Sequence, residues 1–255
     1  MARLIIVSNR TPGRDPAAGG LAVALRKTLT KREGFWFGWS GKLTEKPSAE
    51  AVFEEIDGLR IGKIDLTRED HHGYYAGFSN SILWPSFHLR LDLATIEAPW
   101  YEAYRSVNTQ FAVALLPQLR ADDVIWVHDY HLIPLATELR KLGVRNRIGF
   151  YLHIPFPTVD ALYAIPHHNG LMRDLSHYDL VGLQANRDVT AFTEFAEHQS
   201  PSALGEPLRS VDFSRTEIAV FPIGSDPDAF ARLAVSPAAT KMIKRMQRVM
   251  GEQRL

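Results

Sequence analysis

The stretch VIWVHDYHLIPLATELRKLG, residues 124–143, changes structural period within one short segment. Val124 to Val127 is apolar at consecutive positions, with β-branched and aromatic content, as in a parallel-sheet strand buried on both faces. The polar group His128-Asp129-Tyr130-His131 follows, and Leu132 to Leu142 then reads as a helix ending at Gly143, a C-terminal cap. Strand, polar turn and helix make one βα unit, and the unit recurs. Leu4 to Val7, Ile148 to Leu152, Leu180 to Leu183 and Ile218 to Phe221 read as further buried strands. Between them lie helix-period segments. Leu21 to Leu29 follows a glycine pair; Trp100, Tyr104, Val107, Phe111 and Leu115 recur at spacings of three and four after Pro99; Asp188 to His198 carries Val189, Phe192 and Phe195 on one face. This alternation predicts an α/β fold with a doubly wound, mostly parallel sheet and right-handed crossovers. Lys42 to Asp65 is less regular and reads as a hairpin on the sheet edge. Ser200 to Arg209 reads as a surface loop, and a helix after Pro237 spaces Met242, Met246 and Val249 for one buried face.

The 255 residues balance 29 Lys+Arg against 29 Asp+Glu, so no long-range field draws the chain to nucleic acid or an anionic membrane. An anionic ligand must be caught locally. The 45% hydrophobic and 23% charged fractions suit a globular chain with a sizeable core. The absence of cysteine excludes a disulfide framework, a thiolate zinc site and a thiol nucleophile, and suits a reducing, cytoplasmic setting. The start, MARLIIVSNR, turns polar after Val7 and reads as neither a signal peptide nor a membrane span.

In open α/β sheets, ligands bind beyond the carboxyl ends of the strands. The first strand ends in Ser8-Asn9-Arg10 and runs through Gly13, Gly19 and Gly20 into a helix, a loop and helix start that favour phosphate; the plainer reading is a tight turn with a solvated Arg10. Neither G-x-G-x-x-G nor a P-loop is present. Asp129 between His128 and His131 could bind sugar hydroxyls or act as a base, but forms a poor metal set; alternatively it caps the Leu132 helix. His153 is held on a rigid turn by Pro155 and Pro157, and stands beside Arg10 and Asp129 on neighbouring strand ends. Tyr74, Tyr75, Phe78 and Trp84 offer aromatic faces to a pyranose ring, with core packing the preferred reading for Phe78, Trp36 and Trp39. The pairs His71-His72 and His167-His168 read as solvated helix positions.

Taken together, Asn9-Arg10 with Ala18-Gly19-Gly20-Leu21-Ala22, FWFGWSG (35–41), YY..FSN..LWP (74–85), W.HDYHL.P (126–134), R.GF.LH.PFP (147–157) and YDLVG.Q (178–184) closely resemble the trehalose-6-phosphate synthases of glycosyltransferase family 20. Those are retaining glycosyltransferases built from two Rossmann-like domains, the GT-B type. The resemblance implies transfer of glucose from UDP-glucose to glucose 6-phosphate, giving trehalose 6-phosphate and UDP, with neither a metal nor a redox cofactor. It implies acceptor binding by Arg10, Tyr75, Trp84 and Asp129, donor binding by Gly19 and Gly20, His153 beside the transferred sugar, and His153 with Asp129 as the catalytic pair. It also implies a homo-oligomer, tetrameric in relatives, with no nucleic-acid or membrane partner. On this reading residues 1–235 form the N-terminal Rossmann-like acceptor domain, and 236–255 a helix and the start of a missing second domain. The family's Arg-Leu-Asp-Tyr-Ser-Lys-Gly stretch, which holds the donor phosphates, has no counterpart, so the isolated chain is expected to be inactive. Smaller departures are Gly182-Leu183-Gln184-Ala185 for Gly-Phe-Gln-Thr and Ile223-Gly224-Ser225-Asp226 for Ile-Gly-Ile-Asp/Glu. The alternative function is a truncated, non-catalytic sugar-phosphate binding module or regulatory paralogue; another nucleotide-glucose donor is a third reading.

Overall fold

The computed structural model describes residues 2–12, 25, 28, 29, 32–48, 50–197, 211–224 and 227–250. Gly13, Gly19, Gly20, most of Leu21 to Leu29 and the expected loop from Ser200 to Arg209 lie outside them. The chain divides into two units, Met1–Pro222 and Ile223–Leu255.

The first unit is built on one eight-stranded sheet. Its strands are β1 (Leu4–Arg10), β2 (Gly34–Thr44), β3 (Val52–Ile56), β4 (Leu59–Thr67), β5 (Val124–His128), β6 (Arg147–Tyr151), β7 (Leu180–Leu183) and β8 (Glu217–Val220), in the order β3-β4-β2-β1-β5-β6-β7-β8. Every neighbouring pair is parallel except β3 with β4. The expected strands are all present and the fold is α/β with a mostly parallel sheet. The expected edge hairpin is β3–β4, turned at Asp57 and Gly58, both with positive φ, as an Asp-Gly hairpin turn requires. The inner strand β2 is an addition: its aromatic run Phe35-Trp36-Phe37 is buried and pairs with both β1 and β4.

The helices of this unit are α1 (Arg68–Asp70), a π helix (His71–Leu83), α2 (Trp84–Phe87), α3 (Pro99–Leu115), α4 (Leu135–Lys141), α5 (Val159–Tyr163), α6 (His168–Leu175) and α7 (Asn186–Glu197). Ile5, Val7, Phe37, Ile125, Val127, Ile148, Phe150 and Val181 pack in one core with residues of these helices. Alternate residues of the same strands, Leu4 and Ile6, pack on the other face with Leu25, Leu29, Trp36 and Ile61. Burial on both faces is why the strand segments read as unbroken apolar runs.

The second unit holds α8 (Pro227–Ala234) and α9 (Pro237–Met250), with the Ser236 hydroxyl accepting from the Ala239 N–H at 3.2 Å. The apolar side expected to be buried carries Met242, Met246 and Val249, all of them exposed. Among the described residues no helix is long and apolar enough to cross a membrane.

Candidate active site

The sheet order reverses between β1 and β5: from β1 the chain winds outward to β2 and β4, and from β5 it winds the other way through β6, β7 and β8. A crevice opens at the carboxyl end of such a switch point. The register sets Ser8 beside His128 and His128 beside Tyr151, so the chain leaves the sheet through Asn9-Arg10, Asp129 and Leu152-His153 at one level.

Arg10 is exposed and its guanidinium lies 5.7 Å from the centre of the buried Trp39 ring. It also covers Gly41, where a Cβ would fall 2.7 Å from Nη2 and where φ is +89°. Trp39 is a core residue, as expected, yet it also forms the floor under Arg10, fixed by its indole N–H donating to Lys42 C=O at 2.8 Å.

The aromatic wall comes from the π helix. Its wide winding is seen where the Trp84 N–H donates to Ser79 C=O, five residues back. Gly73 and Gly77 let it press on α3: a Cβ would lie 2.5 Å from Ala103 Cβ at the first and 2.5 Å from the Trp100 indole at the second. Tyr74 is buried and donates its hydroxyl to Asn9 Oδ1 at 2.9 Å, tying the π helix to the end of β1. Half-buried Tyr75 lies 6.0 Å from the Trp39 ring and stacks on His131 at 5.6 Å and 14°. Tyr130 donates to Asn80 Oδ1 at 2.8 Å, and its ring stacks on the same histidine at 4.0 Å. His71, expected to be solvated, instead packs at 5.2 Å from both Trp39 and Tyr75; burial, then His72, lower its pKa. His167, also expected on the solvent side, takes a left-handed backbone with φ +60° and stacks on Tyr101 at 3.8 Å. His72 and His167 are nonetheless exposed, as expected, so only His71 is drawn into the aromatic wall, where Trp39 from β2 meets it.

Asp129 stands at the head of a 3₁₀ turn (Tyr130–Leu132), but its side chain makes no capping hydrogen bond. Its φ of 77° and ψ of 163° fall in a region normally confined to glycine. Its N–H donates to Tyr151 C=O at 2.8 Å, and its Oδ1 accepts from the His153 N–H at 3.2 Å. Burial pushes its pKa up to about 6, opposed by backbone N–H groups of His153 and Tyr130 and by the neighbouring His88. Near neutral pH it is a carboxylate within easy reach of protonation. Burial lowers His153 to about 4 and His131 to about 3, so both rings are neutral there. His128, Asp129 and His131 do not converge as ligands; among the described residues no cluster is placed to hold a metal ion.

Contacts therefore run continuously from Arg10 through Trp39 and Tyr75 to His131, Tyr130, Asp129 and His153. Trp84 stands at the margin, 42% exposed, with its ring 4.2 Å from His88, which in turn acts on Asp129. His71 and His88 belong to the wall without having been singled out for it, and His131, singled out beside Asp129, and Trp39, read as core, join them. His88 had a legible signal, standing four residues after Trp84 and so on the same helical face.

The chain that carries this site has close parallels in sequence and fold. The trehalose-6-phosphate synthase of Citrobacter koseri is 41% identical over 266 aligned residues, covering 100% of this chain and 56% of that protein. The crystal structure of a UDP-forming α,α-trehalose-phosphate synthase from Burkholderia vietnamiensis superposes with a TM-score of 0.89 at 41% identity, over 100% of this chain and 56% of its own. A second such synthase, from Burkholderia xenovorans in complex with glucose-6-phosphate, gives 0.86 at 43% identity, over 99% and 57%. The chain thus spans about half the length of the relatives it matches. The model of glycosyltransferase family 20 matches residues 7–255, and with the fold and sequence likeness this places the chain in that family.

Proposed function

We propose that this chain is the acceptor-binding part of a retaining α,α-trehalose-phosphate synthase, which moves glucose from UDP-glucose to glucose 6-phosphate and releases UDP. The observation that carries the reading is the run of contacts from Arg10 through Trp39 and Tyr75 to His131 and Tyr130, next to Asp129, at the β1/β5 switch point. An exposed guanidinium suits a phosphate dianion, with its planar fork of N–H donors. Tyr75 and Trp84 offer ring faces to the pyranose, and the Asp129 carboxylate accepts from sugar hydroxyls. Gly19 and Gly20 would let the loop backbone approach the donor diphosphate. His153, on the neighbouring strand end, would meet the transferred sugar, making His153 and Asp129 the residues beside the reacting centre.

A double displacement with retention uses two carboxylates about 5 Å apart. Asp129 is already engaged by the His153 N–H and assigned to the acceptor. The family resemblance favours same-face substitution, in which the leaving phosphate takes the acceptor proton. The protein then supplies orientation and electrostatic stabilisation.

Calorimetric titration of the 255-residue chain with glucose 6-phosphate tests the acceptor site. Arg10→Ala is expected to weaken binding by roughly 10- to 100-fold, the worth of a charge-assisted hydrogen bond. Equal affinity in the variant would overturn the assignment. A second reading is a sugar-phosphate binding module without turnover. UDP release from UDP-glucose that depends on glucose 6-phosphate, measured with the same chain, would exclude the module; binding without release is expected on both readings.

A further inference from the structure

Two strand-end imidazoles touch each other beneath the proposed site. His128 Nδ1 lies 2.9 Å from His153 Nε2, with ring centres 5.2 Å apart. Burial keeps both rings uncharged at neutral pH, and at His128 the neighbouring His153 adds to the lowering. A neutral imidazole carries one hydrogen, so one ring donates and the other accepts. The far side of His128 decides which. Its Nε2 is buried and has no hydrogen-bond partner among the described residues, with the Trp126 ring centre 4.4 Å from its own.

If His153 donated through Nε2, His128 would accept at Nδ1 and its only N–H, on Nε2, would be buried without an acceptor. If His128 donates through Nδ1, its Nε2 holds an unused lone pair instead. A buried orphan N–H is the rarer defect of the two. The backbone of His153 is held independently, its N–H on Asp129 Oδ1 and its C=O on Gln184 Nε2 at 3.0 Å. What remains to be fixed is the state of the ring. Nδ1 of this half-buried ring makes no hydrogen bond among the described residues and is its remaining polar edge.

We propose that His128 is a positioning residue that donates its Nδ1–H to His153 Nε2 and thereby holds His153 as the Nδ1–H tautomer, set to donate a hydrogen bond to a sugar oxygen. With that nitrogen already carrying hydrogen, His153 is a fixed donor and cannot serve as a proton acceptor at the open edge. The use of this N–H rests on the sugar-transfer reading; the tautomer itself does not.

Long-range ¹H–¹⁵N correlation spectra of the ¹⁵N-histidine-labelled chain at neutral pH read each tautomer without any ligand. His153 is expected to show a protonated Nδ1 and an unprotonated Nε2, and His128 the same. His128→Asn keeps an amide N–H near the Nδ1 position and is expected to preserve the His153 pattern. His128→Phe keeps the ring shape without the donor and is expected to give a mixture of tautomers. His153 protonated at Nε2 in the unmodified chain, or an unchanged His153 pattern in His128→Phe, overturns the proposal. Should His128→Phe fail to fold, the unmodified chain decides alone. Failure here with intact glucose 6-phosphate binding would sink the tautomer and leave the acceptor site standing.

Discussion

Asp129 concentrates two costs in one residue, a backbone in glycine territory and a carboxylate raised to about 6 by burial. An unfolded aspartate titrates near 3.9, so between about pH 4 and pH 6 the folded chain holds a proton that the unfolded chain has lost. Stability therefore falls as pH rises through that window, by an amount on the order of 2–3 kcal/mol. Asp129→Asn removes the charge and is expected to be more stable than the unmodified chain near pH 7.5, with the difference largely closing near pH 4. Asp129→Gly should gain about 1–3 kcal/mol more by relieving the backbone. Urea unfolding at the two pH values measures both, and a variant no more stable near pH 7.5 would refute the account. Such a trade of stability for a placed charge is common at functional sites. Gly41 is the second test at this scale. In Gly41→Ala the positive φ strains the backbone, by about 1 kcal/mol or more, and the new Cβ meets the Arg10 guanidinium. Both melting temperature and glucose 6-phosphate affinity are expected to drop.

The π helix is the element that turns a sheet edge into a walled site. Its path depends on close contact with α3, where Phe78 lies 4.7 Å and Tyr74 6.0 Å from the Tyr104 ring. Gly77→Ala would drive a methyl into the indole of Trp100 and is expected to cost about 1–3 kcal/mol in a thermal or urea melt. Gly77→Ala melting like the unmodified chain would mean that the packing is looser than these contacts require. This element was the least legible in the sequence. His71-His72-Gly73-Tyr74-Tyr75 with Gly77 carries no clean period, and glycines ordinarily punctuate loops. The winding follows from what α3 allows to approach, which local residues do not record. The segment 124–143 is the opposite case: its apolar run and its Gly143 cap are local chemistry, β5 forms where it is expected, and α4 begins three residues later than expected, after a 3₁₀ turn at Tyr130–Leu132.

At the scale of the whole first unit, Arg105 on α3 bridges Asp174 on α6 and Glu138 on α4, and the Thr137 hydroxyl donates to Asp174 at 2.7 Å. Arg105→Ala would leave the buried Asp174 without its cation, while Glu138 keeps Lys141 at 3.1 Å, and is expected to cost about 3 kcal/mol. Denaturant midpoints measure this, and a change under about 0.5 kcal/mol, the size of an ordinary surface substitution, would refute it. By itself the sequence determined the kind of fold and the family. Apolar runs are written residue by residue, burial on both faces follows from them, and the ordered motifs from Asn9 to Gln184 carried the resemblance. The tertiary structure alone decided which strand ends become neighbours. Val7 pairs with Val127 and Val127 with Phe150, contacts set by long-range pairing across separations that no local pattern spans. That pairing takes the Asp129 side chain away from helix capping and bonds it to the His153 backbone. It also sets Trp39 against His71 and His128 against His153. Each of these states depends on a partner contributed by another segment, so each is settled only when the sheet has formed.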